Sequence, residues 1–307
     1  MQMKIVERRA IFTDTGLARE ESLAKVRSAL DRLPPFAGIL REVLATLSIP
    51  TEDVSLVKLG ALIERDVILS GRALALANSA AFSRGKTVVS VREAAVRLGV
   101  NRLRNVALGL SVNQLWNGIK VRPEFSMLRF NQHALATATL AEMLAVRFHV
   151  DGADAAFAAG LFHDVGQLLL VSLFPDEYTT TLASFRGGGA ELEDRERELF
   201  GLSHAEISAE AVIHWNLSHC IEEAVRFHET PDRNLQGGSR QTLSNVIFLA
   251  KRFASELGYW PFFAVDHDES IEDDLVSMGI DILALETEFA RALPTLNGSP
   301  SGSLKHG

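Results

Sequence analysis

The sequence predicts an all-α fold. Three observations carry the prediction. Apolar residues recur with helical rather than strand periodicity, serines stand at helix starts with a glutamate three residues on, and glycine, asparagine and proline punctuate the segment ends. From Val54 to Leu69 the apolar positions Val54, Val57, Ala61, Ile63, Val67 and Ile68 fit a pair of irregular helical stripes better than strict alternation. Asp66 between them reads as a helix-start or turn residue. Asn78, in the run Ala-Asn-Ser-Ala, reads as a left-handed C-terminal residue or a side-chain cap, with a binding-surface contact as the alternative. Val91, Ala94, Ala95 and Leu98 form one helical stripe, with Ser90 and Glu93 as a capping box before it and Gly99 placed to stop it. Leu103 to Leu110 reads as the next helix.

The second half continues in the same way. Helix formers dominate Arg129–Phe148, and Gly152 then breaks the chain. Asp154–Leu173 reads as one long apolar helix closed by Pro175, and Gly187–Gly189 as a loop before an acidic helix. Ser203 and Glu206 make a second capping box, opening a helix that runs to about Trp215 and is ended by Asn216. Ser218 opens the next, to about His228; Pro231–Gly238 is a loop, Thr242–Leu257 a helix, and Asp273–Leu293 one or two more. Gly118–Phe125, with Pro123, reads as an internal boundary. The expected organisation is an N-terminal extension (1–30), an N-terminal helical part (31–120), a helical bundle (121–260), C-terminal helices (261–296) and a Gly/Ser-rich tail (297–307) read as disordered. The two halves are free to share one core.

With 307 residues, 47% hydrophobic and 23% charged, the chain has ordinary globular composition. A net charge of −8 argues against a nucleic-acid partner; Arg97, Arg102 and Arg104 read as a solvated helix end and Glu191–Glu198 as an exposed helix. The single cysteine, Cys220, reads as a buried small side chain, and its solitude fits a reducing compartment. Met1–Ala10 lacks an apolar signal core, and no run approaches the roughly 18 apolar residues of a membrane span. The expectation is a cytoplasmic protein with no membrane partner.

Candidate chemistry gathers at His133, His163, Asp164, His204 and His228. The pair His163-Asp164 lies inside the apolar run Gly160-Leu-Phe-His-Asp-Val-Gly166. An aspartate buried there requires a strong partner, either a metal ion or a cationic group. His204 follows the N-cap Ser203, where the positive helix end disfavours imidazolium and leaves the neutral ring that a metal requires; simple helix-start packing is the alternative. Taken alone, His133 is equally a core or surface histidine, and His228 a helix-end cap. No phosphate-cradling loop, nucleophile elbow or cysteine pair competes.

At these residues the chain resembles the HDOD family, a relative of the HD and HD-GYP phosphohydrolases. The resemblance runs from Leu33-Pro34-Pro35-Phe36 through Ile63-Glu-Arg-Asp66-Val, Ala73-Leu-Ala-Leu-Ala-Asn78-Ser79-Ala80-Ala-Phe82 and Val89–Gly99. It continues in Ala159–Gly166, Phe200-Gly-Leu-Ser-His204-Ala-Glu-Ile, Trp215-Asn-Leu and Ala224-Val-Arg-Phe-His228. It implies an N-terminal helical part packed on an HD-like bundle, and a signalling or regulatory role. HD enzymes hold metal ions that activate water on a phosphoester, and His133, His163, Asp164, His204 and His228 fall at positions similar to those ligands.

The departures are specific. Gln167 stands where the active HD-GYP pattern has a lysine, the usual His-His pair appears as His228-Glu229, and no Gly-Tyr-Pro follows. From Arg233 to Val265 there is no aspartate, and Glu256 is the only carboxylate. Lys251 lies in the neighbourhood of the missing distal aspartate, where an ammonium beside Asp164 would replace an ion electrostatically. The first reading is therefore a non-catalytic signalling module, acting through a protein partner or a small ligand and requiring no cofactor. A metal-dependent phosphohydrolase acting on a nucleotide or cyclic dinucleotide is the alternative, and a single divalent transition-metal ion is compatible with either.

Overall fold

Side-chain caps fix where the helices start. Ser55 accepts from the Lys58 N–H, Asp66 from Ile68 and Leu69, Ser126 from Arg129, Ser203 from Glu206 and Thr242 from Asn245. Each such cap stabilises its helix by about 1 kcal/mol. A computed structural model of the chain describes residues 15–32, 39–46, 51–79, 82–83, 85–117, 119, 121–185, 188–234, 242–261 and 270–297. Among them there is no strand, as an all-α sequence requires. Leu33–Phe36, Ala80-Ala81, Gly187, His267, His306, the Met1–Ala10 segment, the second half of the Pro231–Gly238 loop and all but the first residue of the tail lie outside the described residues.

The first half contains α1 (Thr15–Arg32), α2 (Ile39–Ala45), α3 (Leu56–Glu64), α4 (Val67–Asn78) and α5 (Val91–Asn117). Helices α2, α3 and α4 pack on α5, which Gly99 (φ 78°) kinks without inserting a loop. Ser90 caps α5 by accepting from the Glu93 N–H, but Glu93 reaches back to the N–H of Val89, so the box is displaced by one residue.

The second half contains α6 (Met127–Phe148), α7 (Ala156–Phe162), α8 (Val165–Leu173), α9 (Pro175–Ser184), α10 (Gly189–Phe200), α11 (His204–His214), α12 (His219–Arg226) and α13 (Leu243–Glu256). Then follow α14 (Ile271–Ser277) and α15 (Ile282–Asn297). Helix α6 is the axis: α7 and α13 pack along it, and α15 bridges it to α4 and α5. Helix α1 crosses back onto α8 and α11. One contiguous apolar core runs through both halves. An aromatic file ties them, with Trp116 of α5 edge-on to Phe130 (5.2 Å) and to Phe162 (6.5 Å), and Phe162 against Trp215 (5.3 Å). Truncating a buried aromatic of this kind costs about 3–5 kcal/mol.

Several expectations are corrected. The run Asp154–Leu173 is not one helix: the chain turns at His163-Asp164 between α7 and α8. Pro175 opens α9 at its first position, where a missing N–H costs nothing, rather than closing a helix. Ala153–Leu173 is, by length and composition, long and apolar enough to cross a membrane, contrary to the sequence reading; 89% of its apolar window is buried inside the protein. Its two halves are apolar on every side because both are enclosed.

Arg104 is buried and donates to the Asp154 carbonyl (2.8 Å), and Arg97 donates to the carbonyls of Ala77 and Lys86, so neither is a solvated helix end. Cys220 is half-buried. Helix α12 stops at Arg226, two residues before His228. Asn78 is neither a left-handed residue nor a cap. Its amide donates to the Val88 carbonyl and accepts from the Val88 N–H, both at 2.8 Å, clamping the loop between α4 and α5. Asn78→Ala strands both Val88 groups and is expected to lower stability by about 1–3 kcal/mol in urea denaturation; a change within about 0.5 kcal/mol, the range of a neutral surface substitution, contradicts the clamp.

Candidate functional site

Two close backbone approaches bring the candidate residues together. At Gly160 a Cβ would lie 2.6 Å from the Ala138 Cα, so α7 can press onto α6 only through a bare glycine. At Gly166 a Cβ would lie 2.0 Å from the His204 carbonyl oxygen, so α8 meets the start of α11 in the same way. The Gly166 N–H donates to Ser208 Oγ (2.7 Å), which locks that crossing. The turn between the two glycines carries His163 and Asp164 inward, to His133 on α6, His204 on α11, His228 after α12 and Lys251 on α13.

All four imidazoles are held by Nδ1. His133 Nδ1 is 2.6 Å from the Tyr259 carbonyl, His163 Nδ1 2.7 Å from that of Gly160, and His228 Nδ1 2.7 Å from that of Val225. His204 Nδ1 is 2.7 Å from Glu196 Oε2. A carbonyl only accepts, so Nδ1 carries the proton and Nε2 faces the centre. Around Asp164 the Nε2 atoms form two groups. His133 and His163 are 3.2 Å apart and lie 3.5 and 3.2 Å from Asp164 Oδ2. His204 and His228 lie 3.5 and 3.3 Å from Asp164 Oδ1, and 3.4 and 3.5 Å from Glu229 Oε1.

These contacts set acceptor against acceptor, so positive charge must lie among them. Lys251 supplies it on one side: its Nζ donates to Asp164 Oδ1 (3.1 Å) and to Glu229, 3.4 Å from His228 Nε2. Burial disfavours the ammonium, but Asp164 and Glu229 outweigh burial and keep it charged. Burial would raise the Asp164 carboxyl; the Lys251 ammonium beside it holds it ionised, well below the usual range. Burial pushes His163 down to about 3, a neutral ring. His204 goes the other way: burial would lower it, but Glu196 pushes it up to about 10, so the helix-end argument for a neutral ring is overturned in the metal-free protein. The reason is a contact between helices that no local pattern displays.

Glu196 is the residue that sequence reading missed. It is buried on the face of α10 read as solvated, and accepts from the His204 N–H and ring and from the Tyr178 hydroxyl. Glu193, also buried, accepts from Ser203 Oγ (2.8 Å) and Arg197 (3.1 Å). The signal was available: Leu192, Glu193, Glu196 and Phe200 recur with helical spacing and share the inner face. Glu229, read only as a lost histidine, contributes its carboxylate to the second group. Gln167 is buried, with Oε1 lacking a hydrogen-bond partner among the described residues.

A first-row metal ion held tetrahedrally at about 2.1 Å separates its donors by about 3.4 Å. The His133–His163–Asp164 triangle, with edges of 3.2, 3.2 and 3.5 Å, fits that separation, and the buried Asp164 Oδ2 completes no hydrogen bond. The second group has similar spacings, but there the Lys251 ammonium sits among the donors. The donors themselves are buried; only Glu229 and Lys251, at 6% and 16% side-chain exposure, reach toward solvent.

Two consequences are testable in metal-free protein. Lys251→Met leaves Asp164 and Glu229 without their cation and is expected to cost about 3–5 kcal/mol in urea denaturation; an unchanged midpoint contradicts the assigned role. His204 binds its proton more tightly folded than unfolded. Its contribution is complete below pH about 6.5 and is lost as pH rises toward about 10. Stability should fall across that window, and Glu196→Gln should flatten the slope; a slope identical in the two proteins excludes the Glu196–His204 pair as its source.

The HDOD domain family matches residues 33–231 of the chain. An uncharacterised Treponema pallidum (strain Nichols) protein is 28% identical over 218 residues, 67% of this chain and 39% of that protein, so the chain spans well under half of that relative. Among solved structures, an HDOD domain protein of unknown function from Geobacter sulfurreducens superposes with a TM-score of 0.67 at 21% identity, covering 91% of this chain and 97% of that one. A Shewanella amazonensis SB2B protein, named as a conjectural phosphohydrolase, gives 0.65 at 24% identity, covering 89% and 96%. A Marinobacter aquaeolei VT8 protein, named as a conjectural signal-transduction protein, gives 0.64 at 20% identity, covering 94% and 66%. At these identities the structures establish a shared fold. The family match extends over most of the chain and contains every cluster residue except Lys251, and the protein belongs to the HDOD family.

Proposed function

We propose that this protein is a non-catalytic regulatory module of signal transduction, acting through a protein partner or a small ligand, and that its histidine cluster is a binding and structural centre rather than a hydrolytic one. The observation that carries this reading is Lys251. Its ammonium stands among the donors of the second group, in contact with both carboxylates there, so the charge of a second ion is already supplied from within the chain. Burial of the remaining donors supports the same reading, because a substrate phosphate would have to reach atoms that are enclosed. The segments 31–120 and 121–260 are proposed as the contact-making and the centre-holding parts of this module, and its place in the cell as the cytoplasm.

The second reading, a one-ion phosphohydrolase, is favoured by the His133–His163–Asp164 triangle alone. These residues would hold the ion, and an ion there supplies Lewis acidity and lowers the pKa of a bound water. The chain's own part would be to orient three donors through Nδ1 and to exclude bulk water.

Elemental analysis of the purified protein should give no more than one equivalent of a transition metal, lost in His133→Ala. Assays with nucleotides and cyclic dinucleotides should show no turnover above that of His163→Ala and Asp164→Ala. Two equivalents of metal, or turnover abolished in both variants while their helical circular dichroism is retained, would overturn the regulatory reading.

A further inference from the structure

A cavity of about 370 Å³ lies where α4, α5, α6 and α15 meet, lined by residues separate from the histidine cluster. Its apolar walls come from Leu76 and Phe82 on one side and Met143 and Val146 of α6 on the other. Its polar groups are not scattered. On the α5–α6 side, Asn105 donates to Glu142 Oε1 at 2.9 Å, which fixes the carboxyl group. Burial raises that carboxyl above the usual range, against the pull of Arg102. Arg102 stacks its guanidinium 4.9 Å over the Phe82 ring, presenting a flat cation beside an aromatic wall. Arg291 on α15 lines the cavity, is exposed and forms no ion pair with the described residues. Arg147 also lines the cavity, paired to Glu288 at 2.6 Å.

The charges do not cancel. Three arginines face two carboxyl groups, one of them already paired. The volume falls within the range of small-molecule sites, and the mixture of apolar wall with a few fixed polar groups is what such sites present. We propose that this cavity is a binding site for a small aromatic or otherwise apolar organic anion. Its negative group would sit between Arg102 and Arg291, its flat body between Phe82 and Met143, and an N–H or O–H donor would meet Glu142. The site is independent of the metal question and stands whichever reading of the histidine cluster holds. It spans the helices that join the two halves, and α6 is common to it and to His133.

The test uses the full chain and 8-anilinonaphthalene-1-sulfonate, a fluorescent aromatic anion with one N–H and one sulfonate. Titration should give saturable enhancement with one equivalent bound. Arg291→Glu, at an exposed position, reverses the charge, and Ala292→Trp fills the mouth from the same helix; each should weaken binding about tenfold or more. Val57→Ser, at an exposed position elsewhere, should leave it unchanged. Absence of saturable binding, affinity equal to wild type in both α15 variants, or an equal loss in Val57→Ser overturns the proposal.

Discussion

A buried carboxylate organises this molecule. Asp164 is buried, and an isolated charge in such a place is prohibitively costly. Four imidazoles and one ammonium from five different helical segments converge on it, and each brings its own anchor: a carbonyl for His133, His163 and His228, Glu196 for His204, and Glu229 for Lys251. Remove any anchor and the ring it holds no longer has a defined tautomer facing the centre. The bundle is therefore fixed by an electrostatic requirement as well as by its apolar core. The glycines at 160 and 166 follow from the same requirement, since the turn carrying Asp164 reaches the centre only if two backbones pass almost in contact.

The two oxygens of that carboxylate have unequal partners. Oδ1 receives a hydrogen bond from Lys251, whereas Oδ2 faces His133 and His163 without completing one. An internal ammonium and a divalent ion are not equivalent occupants. The ammonium carries one charge and donates along fixed directions, while an ion draws donors to a shorter, common distance and polarises what it binds. The His133–His163–Asp164 triangle could hold an ion, whereas the Lys251 ammonium stands among the donors of the second group.

The fold class and the central pair were legible because helical periodicity, capping boxes and the His163-Asp164 run are local signals. Caps at Ser55, Asp66, Ser126, Ser203 and Thr242 need only a few residues to declare themselves. What could not be read locally were partners distant in sequence. Glu196 looks like one more acid on an acidic helix until α11 is brought against it. Asn78 looks like a terminator until the chain returns ten residues later to offer both backbone groups of Val88. The break at His163-Asp164 was hidden by uniform apolarity, because a pattern that is hydrophobic all round records burial and says nothing of where a helix bends.

Helix α6 gives the arrangement a mechanical consequence. His133 lies near its start and Glu142 nine residues on, about 13 Å along the axis at 1.5 Å per residue. The stretch between them is buried and packed against α7 at Gly160 and against α13, so it has little room to bend. A ligand that draws α15 and α5 together across the cavity would bear directly on the helix that supplies one edge of the Asp164 triangle. Coupling of this kind requires only that the ligand prefer one placement of α6 over another. The reciprocal also holds. His133 and the Met143–Val146 wall of the cavity stand on this one helix, so a displacement of α6 would be felt at both.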